Sequence, residues 1–112
     1  MTVRRYRVTR LTNFSWSSET ADHEGFVRRA ADIFQDALQE RYPDLDGEVC
    51  YVVIDGEPQL AFSATIYAES SVDAQRRAAY RFDRALGSSG PVGGQRRRIV
   101  PPWGAVEVDD LG

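Results

Sequence analysis

All 14 basic residues of this chain are arginines; it contains no lysine. Guanidinium is planar, permanently charged and forked toward carboxylate or phosphate, whereas lysine supplies Schiff-base and acyl-acceptor amines, so amine chemistry is excluded. The arginines cluster at Arg4-Arg5-Tyr6-Arg7, at Arg76-Arg77 with Arg81 and Arg84, and at Arg96-Arg97-Arg98. The other reactive groups are sparse. His23 lies in Asp22-His23-Glu24, a charged setting that could tune a general base. One histidine without a second histidine or a cysteine at ligand spacing does not make a zinc site, so His23 reads as an exposed residue of a first helical turn. Cys50 sits in a strand without a basic neighbour and reads as an inert packed thiol. Ser15, Ser17 and Ser18 form no glycine-flanked elbow, and GSSGPVGG does not run from a strand into a helix as a phosphate loop would. No catalytic residue, metal ligand or cofactor site is assigned.

The elements that must position these groups come from the apolar spacing. Residues 3 to 11 alternate as a strand, with Tyr6 and Val8 on one face and Arg5, Arg7 and Thr9 on the other. From about Glu19 to Tyr42, Phe26, Ala30, Ile33, Phe34, Ala37 and Leu38 recur at helical spacing. Arg28, Asp32, Gln35, Asp36, Gln39 and Glu40 make the solvated side, and Pro43-Asp44 ends the helix. EVCYVVID and QLAFSATIYA flank Asp55-Gly56, a hairpin signal, since glycine accepts the positive φ of a tight turn. Leu60, Phe62, Ala64 and Ile66 then face the core together with Val49, Tyr51 and Val53. Cys50, Val52, Ile54, Ala61 and Tyr67 fall on the other side. Ser70, three residues before Asp73, caps a second helix with Val72, Ala79, Phe82 and Leu86 inward, closed by Gly87. A flexible loop follows over about 87–95.

The order β-α-β-β-α-β predicts a single α+β domain over 1–112, a ferredoxin-like arrangement with two helices on one face of a four-stranded antiparallel sheet. A double-stranded-RNA-binding fold needs a further strand for which Ala68 to Ser71 leave no room. Two segments compete for the last strand, because Pro101-Pro102 forbids one central strand through both. Residues 95 to 100 would align Arg96 and Arg98 with Arg5 and Arg7, a repulsive cluster that makes sense only opposite an anion. Residues 104 to 109 would turn Val106 and Val108 inward and set Glu107 and Asp109 against the strand 1 arginines as surface ion pairs. The second is favoured for its cleaner alternation.

Composition narrows the function classes. With 42% hydrophobic and 28% charged residues the chain belongs among folded globular domains. A net charge of -3 repels nucleic acid and anionic membranes overall, so any such binding must come from a local patch. One cysteine, no charged-then-apolar leader and no apolar run near the roughly 20 residues of a membrane span point to the cytoplasm. Helix 2 with its preceding strand, IYAESSVDAQRRAAYRFDRAL, together with the lysine-free composition, resembles small uncharacterised proteins of high-GC actinobacteria and their bacteriophages. That resemblance implies an accessory protein and carries over no catalytic or binding position.

Three functional readings follow. The first is a non-catalytic binding or regulatory module whose partner is a host or regulatory protein. The second is nucleic-acid or acidic-partner binding through Arg5, Arg7, Arg96, Arg97 and Arg98. The third is a dimeric α/β-barrel enzyme for a small apolar ligand, with Tyr67, Trp16 and His23 as its residues of interest. Trp16 and Trp103 are candidates for partner anchors or for core caps. The apolar side formed by Cys50, Val52, Ile54, Ala61 and Tyr67 demands a cover. The candidates are a second copy packed face to face about a two-fold axis, which is favoured, or the Pro101-Pro102-Trp103 segment.

Overall fold

The hairpin at Asp55-Gly56 sets the register of the whole sheet. Both turn residues have positive φ, 52° and 80°, the left-handed pair that matches strand twist in a two-residue loop. They join β2 (Gly47–Ile54) to β3 (Glu57–Ala68), with Ile54 opposite Glu57 and Val49 opposite Phe62. The computed structural model describes residues 2–12, 23–89 and 103–112. Within them β1 (Arg4–Thr12), α1 (His23–Arg41), β2, β3, α2 (Ser71–Ser89) and β4 (Trp103–Asp110) follow in sequence. The sheet runs β2-β3-β1-β4, all neighbours antiparallel, which is the ferredoxin-like order.

Both helices lie on the face that carries Tyr6, Val8, Leu60, Phe62, Ala64 and Ile66. Phe62, on a central strand, is gripped from both helices: its ring centroid is 6.1 Å from that of Phe34 and 5.5 Å, edge-on, from that of Phe82. Such aromatic pairs add about 0.5 to 1.5 kcal/mol to the burial of the rings themselves. Helix α1 buries Phe26, Val27, Ala30, Ala31, Phe34 and Leu38. It stops before Pro43, and Gly47 then begins β2 directly beneath Leu38. A Cβ there would stand 2.9 Å from Leu38 Cδ2, so the glycine permits the close approach of helix to strand.

Helix α2 departs from expectation. Its buried stripe is Ala74, Ala78, Phe82 and Ala85, whereas Val72 is 61% exposed. Val72 stands two residues, about 200° of helical turn, from Ala74 and so falls away from this stripe. The Ser70 cap is present, Oγ accepting from the Asp73 N–H at 3.2 Å. Gly87 does not end the helix, which runs on to Ser89; glycine in a last turn costs only about 1 kcal/mol when its φ stays helical.

The last strand is Trp103–Asp110, so the alternative seat at 95–100 is overturned. Val108 lies opposite Val8 and packs against the core, while Val106, opposite Arg10, is exposed. A register shift between Arg10 and Thr12 marks where β4 meets the end of β1. There Thr12 Oγ1 accepts the Leu60 N–H at 3.0 Å, a side chain standing in for a ladder bond.

Candidate functional site

The face of the sheet away from the helices carries Arg5, Arg7, Cys50, Val52, Ile54, Ala61 and Tyr67, and the pairing register arranges them in rows. Tyr67 faces Arg5; Thr65 faces Arg7, which faces Asp109; Glu48, Ser63, Thr9 and Glu107 form one row. Cys50, Ala61 and Leu11 form the next, and Val52 with Gln59, then Ile54 with Glu57, complete the hairpin end. The face therefore has a charged half and an apolar half.

In the charged half Arg7 is the hub. Its Nη1 donates to the Asp46 carbonyl at 2.8 Å, to Thr65 Oγ1 at 3.1 Å and to Asp46 Oδ2 at 3.4 Å. Its Nη2 stands 3.7 Å from Glu48 Oε2. The expected partners, Glu107 and Asp109, are not the ones it takes. Asp109 is its Cα partner, yet the guanidinium reaches across β3 to the β2 side, where a carbonyl and two carboxylates converge and only a quarter of the side chain remains exposed. Arg4 instead pairs with Asp110 at 2.9 Å. The Gly112 N–H and, after it, the Arg4 guanidinium hold the Asp110 carboxyl below its ordinary range. Thr9 and Ser63 share a hydroxyl hydrogen bond of 3.1 Å.

Cys50 borders this network. Its thiol donates to Glu48 Oε1 at 2.7 Å, and that hydrogen bond, reinforced by burial and the carboxylate charge, pushes the thiol up to about 11. At neutral pH it is protonated and a poor nucleophile.

The apolar half brings Cys50, Val52, Ile54 and Ala61 together, all half-buried, and adds Leu11 beside Ala61. Leu11 was legible from strand parity, since it follows Arg5, Arg7 and Thr9 on the same side. Tyr67 does not join this patch. It is 63% exposed at the other end of β3, with Ser63 and Thr65 between it and Ala61.

The arginine reading divides. Arg5 and Arg7 share this face, but the strand beside them carries Glu107 and Asp109, and Arg96, Arg97 and Arg98 lie outside the described residues, as does Trp16. On α2, Arg77 pairs with Asp73 at 3.0 Å, Arg81 stacks over Tyr42 at 5.8 Å, and Arg84 donates to the Tyr80 hydroxyl at 2.7 Å. That stripe is engaged with its own surface. His23 opens α1. Among the described residues no group of three His, Cys, Asp or Glu is placed to hold a metal ion, and no helix is long and apolar enough to cross a membrane.

Gln35 escaped the sequence reading, which put it on the solvated side of α1. Its Oε1 accepts the Val49 N–H at 2.6 Å and its Nε2 donates to the Gly47 carbonyl at 3.4 Å. A helical wheel cannot reveal this, because the partner is the backbone of a strand edge twelve to fourteen residues on.

No protein-family model, curated protein or solved structure matches the chain.

Proposed function

We propose that this domain is a non-catalytic binding module that takes a protein partner on the open face of its sheet. The observation that carries this is the division of that face. The polar groups around Arg7 satisfy one another, Arg7 with Asp46, Glu48 and Thr65, Thr9 with Ser63, and Cys50 with Glu48. Beside them Leu11, Cys50, Val52, Ile54 and Ala61 form an apolar strip. A network closed on itself leaves little capacity to polarise a substrate, whereas an apolar strip rimmed by ordered polar groups is the anatomy of a protein interface.

A photoreactive benzoylphenylalanine at Ala61, in the middle of the strip, tests this in cells of the native host. We expect a discrete adduct with another protein from Ala61 and none from the same probe at Glu107 on β4. No adduct at Ala61, or turnover of a hydrolase or nuclease substrate abolished by His23→Ala, would overturn the reading.

A further inference from the structure

Strand β2 ends the sheet, and among the described residues no strand lies on its outer side. Parity along this strand is set by the turn: Ile54 and Glu57 close a two-residue hairpin as a hydrogen-bonded pair, so the backbone groups of Val53, Tyr51, Val49 and Gly47 point away from β3. Two contacts confirm it. The Thr65 N–H reaches the Asp46 carbonyl at 3.3 Å, on the β3 side, while the Val49 N–H and Gly47 carbonyl point outward to Gln35. Pro58, which has no N–H to give, accordingly stands opposite Val53, where no donor is required.

Gln35 thus occupies the Val49 N–H and the Gly47 carbonyl, and no described residue pairs with the outward groups of Tyr51 and Val53. Strand edges are ordinarily defended by charge, proline or a bulge. Val49 to Ile54 offers none of these, and Val53, on the helix side, is 58% exposed.

We infer that a second copy of this chain docks antiparallel along β2, joining two four-stranded sheets into one of eight strands, with the two-fold axis at Val52. The register follows from what Gln35 leaves available. Centring on Tyr51 would pair Val49 with the partner's Val53 and require the N–H that Gln35 holds. Centring on Val53 would set Tyr51 against the partner's Asp55, in the turn. Centring on Val52 pairs Tyr51 with the partner's Val53 and the reverse, using the groups left over. The side-chain rows then match: Val52 meets the partner's Val52 and Cys50 the partner's Ile54 on the open face, while Val53 meets the partner's Tyr51 on the helix side. No charge faces a charge. The second copy is favoured over any other strand because this uncharged, two-fold-symmetric row is complementary to itself. It also differs from a face-to-face dimer, since the copies meet along strand edges and the apolar strips of their open faces become continuous.

A disulfide reads the register directly. Opposed residues that are not hydrogen-bonded to each other approach to about 4.5 Å between Cα atoms, within disulfide range. Val52→Cys in a Cys50→Ser background, oxidised with diamide at micromolar protein, should run as a covalent dimer. Ile54→Cys with native Cys50 should cross-link as well, whereas the unaltered chain, whose Cys50 faces the partner's Ile54, should not. Gln35→Ala frees the competing register and should lower the Val52→Cys yield. Failure of Val52→Cys to cross-link while its circular dichroism matches the parent overturns the proposal. So does cross-linking of the unaltered chain through Cys50, which would bring the copies together in another geometry.

Discussion

The two edges of this sheet are treated in opposite ways. Along β4, Glu107, Asp109 and Asp110 place charge on both faces, Asp110 is tied to Arg4, and a register shift disrupts the strand where it meets the end of β1. Along β2 the run from Val49 to Ile54 is uncharged and regularly paired; the Gln35 carboxamide holds backbone groups at its Gly47 end, and the Arg28 guanidinium stacks over Tyr51 on the helix side at 4.2 Å. One edge carries charge on the strand itself and an irregular register, whereas on the other, among the described residues, a hydrogen-bonding side chain takes backbone groups of Gly47 and Val49 only. This inequality between the edges is what the proposed pairing along β2 rests on.

The largest effect that separates the edges is steric. Gly47→Ala at the guarded end of β2 forces Leu38, which is fully buried, off its packing, and it should cost about 1 to 3 kcal/mol in urea unfolding. A midpoint within error of the parent would show that α1 does not hold β2 as closely as described. The smallest effect is at β4. Arg4→Ala removes a pair whose partners are both about half exposed, so the loss in urea unfolding should be slight and should vanish in high salt. A larger, salt-independent loss would mean that β4 depends on its charges for adhesion and not merely for defence.

Much of this architecture was legible beforehand. Asp55-Gly56 dictated the hairpin, its two-residue loop dictated which of Cys50 and Tyr51 faces the helices, and the alternation of Ala105 to Val108 placed the last strand. What escaped reading depends on contacts distant in sequence or on size. Alternation put Asp109 beside Arg7 correctly, but it could not show that the long guanidinium would turn the other way, toward a carbonyl and carboxylates at the start of β2. On α2 the larger apolar side chain, Val72, set the expected phase of the buried stripe, whereas the helix turns the alanines at 74, 78 and 85 inward with Phe82. Tyr67 shared the parity of Val52 and Ile54 without sharing their end of the sheet. Parity assigns a face, and only the register assigns a neighbourhood on it.

The comparison of edges is tested most directly by sedimentation equilibrium of the unaltered chain beside two matched substitutions, Val53→Lys on β2 and Val106→Lys on β4. Both valines are exposed, so neither change disturbs the core. The account predicts a concentration-dependent dimer for the unaltered chain and for Val106→Lys, and a monomer for Val53→Lys across the micromolar range. A monomer in all three, or a dimer that survives Val53→Lys and is lost with Val106→Lys, would contradict it.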